Sequence, residues 1–225
     1  MHKLSYEDTI RETSINQKES DVDSCHLENV VTGTETVCDY FNYCREICYN
    51  IVADNTEDSI GGEGKIVEID ESKFGKTKNG VGRQIQGQWV FGGICREDRK
   101  IFLETVATRD SDTLIPIIKS RIRPGSTIIS DCWSSYTCLQ REEIFKHLTV
   151  NHSYNFVDPE SGAHTQNIEN LWWQIKRSLP STHCSKSDFW KHLAEYMWRT
   201  MIHPDADKFM SFLQMASKYY RGPQP

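Results

Sequence analysis

Between residues 65 and 151 the apolar residues come in five short runs: KIVEID (65–70), QWVFGGIC (88–95), KIFLETV (100–106), TIIS (127–130) and HLTVN (147–151). Runs of this length, rich in Ile, Val, Leu and Phe, predict strands rather than helices. The second and third are joined by the polar turn Arg96–Arg99 and predict a hairpin. After them DTLIPIIKSR (112–121) predicts a helix with Asp near its N-terminus, and Pro116 must sit in its first turn or kink it. Helices are also expected over 134–143, 165–177, 187–203 and 205–220.

The front of the chain differs. Residues 1–34 are polar, acidic and aperiodic, which predicts a disordered arm. Val37, Tyr40, Phe41, Cys44, Ile47, Cys48 and Ile51 then recur at helical spacing, so 35–53 reads as an amphipathic helix. The acidic, Gly-rich stretch 54–64 reads as a linker, completing a helix-and-linker unit over 35–64. From residue 65 the order is β, β, β, α, β, α, β, α, α, α. That order predicts an α/β fold with an RNase H-like mixed sheet flanked by helices over 65–203. An N-terminal helix precedes it, and a C-terminal helical extension follows over 204–225.

Charge is unevenly spread. The net charge is −6, yet residues 1–64 carry 4 Lys+Arg against 14 Asp+Glu, and residues 65–225 carry 22 against 18. The body is mildly basic and can meet a polyanion; the acidic front cannot easily do so. No apolar run approaches the roughly 20 residues of a helical membrane span, so no membrane partner is expected. The first 25 residues carry charge throughout with no apolar core, which argues against secretion. The eight cysteines contain no CxxC pair, and buried reduced thiols are the simpler reading than a zinc site.

Three acidic residues stand out. Asp70 ends the apolar run Ile66-Val67-Glu68-Ile69, and Asp131 ends Ile128-Ile129-Ser130. Two strands that each deliver a carboxylate at the carboxyl end bring acidic oxygens to one edge of a sheet. A helix cap is the competing role for Asp131. Glu169 borders the apolar stripe Ile168, Leu171, Trp172 and Ile175, and Lys176 lies two turns further along the same face. His164, Gln166 and Asn167 precede it, with His164 a candidate orienting group or a cap. Clustered carboxylates repel unless cations neutralise them, and an all-oxygen donor set favours Mg²⁺ or Mn²⁺. Two such ions per site suit in-line phosphoryl displacement.

The segments VEIDESKFGKTK, QWVFGGI, IISDCWSSY, HTQNIENLWWQIKR and FWKHLAEYMWRT together resemble the DDE transposase domain of Merlin-type DNA transposons and their bacterial insertion-sequence relatives. The resemblance spans about residues 65–203 and the helix before them. It implies that Asp70, Asp131 and Glu169 are the metal ligands, with Lys176 as the lysine that follows the third acid. Glu71, beside Asp70, is expected to point to the other face of the strand. The activity implied is phosphodiester cleavage followed by strand transfer, on double-stranded DNA comprising transposon ends and a target. A homodimer or higher assembly on paired ends is implied too. The location would be nuclear in a eukaryote and cytoplasmic otherwise.

Lys73, Lys76, Lys78 and Arg83 lie in KFGKTKNGVGR, a loop with no acid. It reads either as a phosphate-approaching loop or as a solvated hairpin tip. Lys176 and Arg177 form a second basic point. Trp133 and Tyr136 flank Asp131 and read as core before base-stacking groups, and Trp172, Trp173, Trp190 and Trp198 read mostly as core. The alternative function is a catalytically idle, host-retained transposase domain that binds DNA or a protein.

Overall fold

The computed structural model describes residues 33–55, 59–75, 87–131, 135, 136, 139, 144–150, 158, 162–179 and 186–219. The elements are α1 (Thr34–Asp54), β1 (Ile60–Gly61), β2 (Ile66–Phe74), β3 (Gln88–Cys95), β4 (Ile101–Val106), α2 (Ser111–Arg121), β5 (Ile122–Arg123), β6 (Thr127–Asp131), β7 (Lys146–Val150), α3 (Gln166–Ser178), α4 (Lys186–Met201) and α5 (Lys208–Tyr219).

Five strands form one sheet in the order β4-β3-β2-β6-β7. β3 runs antiparallel to both neighbours, while β6 is parallel to β2 and β7 to β6. Counted along the chain this is 3-2-1-4-5 with the second strand reversed, the RNase H-like sheet expected from the sequence. Pleating sends alternate residues of β2 to opposite faces. Val67 and Ile69 join Phe91, Cys95, Ile128 and, from α2, Leu114 and Ile118 in one core. On the other face Phe74, Val90, Ile94 and Leu103 pack against Ile168, Leu171, Trp172 and Ile175 of α3 and Leu193 of α4. Each fully buried aliphatic side chain here contributes about 1.5–3 kcal/mol. α1 lies against α4, with Cys48, Ile51, Trp198 and Ile202 as their core and Arg45 Nε 3.2 Å from Glu195 Oε2.

Several boundaries differ from expectation. β2 continues to Phe74, because Glu71–Phe74 pair with Phe91–Gln88 and keep the alternation going beneath a polar-looking sequence. Part of the expected linker is a strand: Ile60 and Gly61 pair in parallel with Ile122 and Arg123. Pro116 sits inside α2 beyond the first turn, and the cap is Asp110, which accepts the Thr113 N–H at 2.9 Å. α4 ends at Met201, and α5 starts at Lys208 after Asp207 accepts the Phe209 N–H at 2.8 Å. The arm expected over 1–34, apart from its last two residues, and most of the helix expected over 134–143 lie outside the described residues.

Gly92 stands opposite Asp70 in the β2–β3 ladder, and a Cβ there would come within 2.7 Å of Cη2 of Trp172. Only a residue without a side chain lets α3 lie this close to the sheet. Gly92→Ala is expected to lower stability by about 1–3 kcal/mol through overpacking. The check is the urea midpoint of the variant against the unaltered chain; an unchanged midpoint contradicts this account of the packing.

Candidate active site

The β2–β6 register sets the site. Val67 pairs with Ile128 and Glu68 with Ile129, so two residues further Asp70 and Asp131 stand level on adjacent parallel strands. In-register residues of parallel strands share a face, here the one that carries α3. The first turn of α3 then presents Glu169. Asp70, Asp131, Glu169 and Thr165 line one cleft of about 100 Å³.

Each acid has its own setting. Burial pushes the Asp70 carboxyl up to about 6, and the charges of Asp131 and Glu169 act in the same direction. The indole N–H of Trp172 opposes the shift by donating to Asp70 Oδ2 at 2.9 Å. Glu169 is exposed, and its Oε1 accepts the Thr165 hydroxyl at 3.1 Å. Thr165 is itself buried, so this donor is held in place.

Glu71 points to the opposite face, as the pleat requires. It accepts a hydrogen bond from the Tyr136 hydroxyl, and burial raises it to about 7, with Asp70 and Asp131 adding to the rise. Tyr136 is a core residue, and its hydroxyl is held well above the usual tyrosine range by burial and by Glu71.

The basic residues are more dispersed. Lys176 lies two turns along α3 from Glu169, with its Nζ 5.4 Å from the centre of the Phe74 ring, and does not line the cleft. Arg177 lies over Trp173, which is 59% exposed and so departs from the core role expected for it. Lys73 is on the far face of β2, 5.4 Å over the Trp89 ring, which Arg109 approaches to 4.0 Å. Lys76, Lys78, Arg83 and Trp133 lie outside the described residues.

The acid trio was legible from the sequence, but its supports were not. Trp172 reads as core in the helical stripe, and its polar tip is invisible there. Thr165 shows no signal beyond standing four residues before Glu169. Arg109 and Trp89 come together only through the strand pairing.

The donor set is all oxygen, from three carboxylates and a hydroxyl, and it suits a hard divalent ion. No three His, Cys, Asp or Glu groups among the described residues stand close enough, as placed, to grasp one ion. Burial, with the neighbouring charges of Asp131 and Glu169, raises Asp70, and a cation held there would relieve that rise.

Residues 60–200 match the family model of the ISXO2-like transposase domain. An uncharacterized transposase-like protein of Haemophilus influenzae is 34% identical over 101 residues, covering 44% of this chain and 80% of that protein. The catalytic core domain of BIV integrase superposes with a TM-score of 0.40 at 10% identity, covering 69% of this chain and 98% of that one. The HTLV-2 integrase catalytic core domain in complex with magnesium gives a TM-score of 0.32 at 12% identity, covering 59% and 82%.

Asp70 sets a pH dependence of stability with a definite sign. Its folded value, about 6, lies above its ordinary 3.8, so the folded state binds the extra proton, and stability is lost as pH rises from about 4 through 6. Glu71 acts in the same direction. Asp70→Asn keeps an acceptor for Trp172 and removes the charge. In chelator it is expected to be more stable than the unaltered chain by on the order of 2 kcal/mol at pH 7.5, with the gain gone near pH 4. Urea unfolding at the two pH values reads this out, and equal stability at pH 7.5 contradicts it.

Proposed function

The chain belongs to the ISXO2-like transposase domain family, and from that premise we propose that it cuts DNA phosphodiesters and joins DNA strands with two Mg²⁺ or Mn²⁺ ions held by Asp70, Asp131 and Glu169. The observation that carries this reading is the single cleft that gathers these acids from β2, β6 and α3. We also read the motif pattern as that of the Merlin-type branch. When bound, the ions supply neutralisation of the carboxylates and Lewis-acid activation of a phosphodiester.

The chain's own groups do the positioning. Asp70 is fixed by the Trp172 indole and Glu169 by the Thr165 hydroxyl, so two of the acids enter with limited freedom. Hydrolysis of one phosphodiester at a transposon end frees a 3′-hydroxyl. That hydroxyl then attacks a target phosphodiester, forming a new ester and releasing the target's own 3′-hydroxyl. Lys176 is the group we assign to a flanking phosphate. Arg177 with the exposed Trp173 offers the next contact along the same helix, where a guanidinium and an indole suit a phosphate and a base or sugar.

Two tests follow. Asp131→Ala and Glu169→Ala should each lower Mn²⁺-dependent nicking of DNA by more than about a hundredfold, since losing a ligand costs at least as much as losing its support. Undiminished nicking removes the ligand assignment. An idle domain, whose acids as placed do not yet meet around one ion, would instead show no Mn²⁺ binding by calorimetry. In the second test, Lys176→Ala/Arg177→Ala should weaken DNA binding alike across sequences. It should also lower the slope of log affinity against log salt by about 1.8, that is by about 0.9 for each phosphate no longer neutralised. An unchanged slope places the phosphate-binding groups elsewhere.

A further inference from the structure

Glu68 is a fully buried acid that lies outside the cleft. It shares the face of Asp70, two residues away, and none of its side chain reaches water. Its Oε2 accepts the backbone N–H groups of Asn167 and Ile168 at 2.9 and 3.0 Å. Its Oε1 accepts the Asn167 side-chain amide at 2.7 Å and Arg96 Nε at 2.6 Å. These backbone groups are orphan donors of the first turn of α3, where a negative charge also meets the positive end of the helix dipole.

The β3–β4 turn completes the grip. Arg96 reaches past Glu68 and donates from Nη2 to the His164 carbonyl at 2.7 Å. Arg99 holds a left-handed backbone conformation, φ 59°, costly for a residue with a side chain, and donates from Nη1 to Asn167 Oδ1 at 2.7 Å. One buried carboxylate and two turn arginines thus hold residues 164–168 from three sides. Thr165, which orients Glu169, lies within the gripped segment.

We propose that Glu68, with Arg96 as its counter-ion, is a positioning residue that sets the separation of Asp70 and Glu169. The proposal rests on the metal-ligand reading above and adds a residue to it. The anchored amides are one and two residues from Glu169, and the anchoring strand is the one that carries Asp70. A helix held only by its apolar stripe can slide or turn slightly without losing much area. A helix whose first N–H groups are fixed on a buried charge cannot.

The test uses the full chain and Mn²⁺ as the probe. Glu68→Gln removes the charge and turns half of the acceptor into a donor facing donors. Arg96→Lys leaves Glu68 a cation but loses the fork that also holds His164. Both variants are expected to lose hydrogen-exchange protection at the Asn167 and Ile168 amides, and to bind Mn²⁺ about tenfold more weakly by calorimetry. Protection elsewhere in β2, β3 and β6 should be kept. Unaltered Mn²⁺ affinity in both variants, or unaltered protection at the two amides, overturns the proposal. If both variants are unfolded at room temperature, Glu68 serves the fold as a whole and the proposal is likewise overturned. Asp70→Ala, run alongside, separates the two readings. If it binds Mn²⁺ as well as the unaltered chain, the ligand assignment itself has failed.

Discussion

A carboxylate shut away from water needs a cation and several donors in fixed places, and Glu68 has both. Leaving one such partner unmade costs more than making it gains, so the geometry around the acid is strongly enforced. Here the hydrogen-bonding partners come from two separate pieces of chain, the turn after β3 and the first turn of α3, and the same arginine also holds the His164 carbonyl just before α3. Their meeting point defines where the helix starts against the sheet. The apolar stripe of α3 and the close approach of Trp172 to Gly92 then fix its tilt and height.

The cleft beside that anchor is built the opposite way. Burial pushes the Asp70 carboxyl up, and the charges of Asp131 and Glu169 add to the rise. Glu68 and Asp70 stand two residues apart on one strand, yet the first meets an arginine and the second an indole N–H. On the proposed metal-ligand reading, the stability given up at Asp70 is the cost of holding a site ready for a charged partner.

Much of this was legible in the sequence, for physical reasons. The strands and helices carry their own periodicities, and a lone acid ending an apolar run has no packing purpose, so Asp70 and Asp131 announced themselves. The parity of the pleat also separated Glu71 from Asp70 correctly. Legibility stopped where meaning depends on pairing. Glu68 sits within an apolar strand and reads only as part of a buried run, because its partners stand 28 residues further along the chain at Arg96 and 99 further at Asn167. Arg96 and Arg99 read as an ordinary polar turn. Lys73 and Phe74 read as the start of a loop, yet the neighbouring strand extends β2 through them. Ile60 and Gly61 look like linker, and only the return of the chain at Ile122 makes them a strand.

The position of the anchor along α3 matters as much as its strength. Each residue of a helix advances about 1.5 Å and turns about 100°. A small error in where the helix begins therefore moves every later side chain, and an error in its direction grows with distance from the fixed point. Glu169 follows the anchored amides almost at once and inherits little of either error. Lys176, two turns on, inherits more, and it is a long flexible side chain resting on Phe74. On the proposed reading the order along the helix matches what each group needs: the short acid that is to meet other acids stands next to the fixed point, and the long cation that is only to reach a phosphate stands further away.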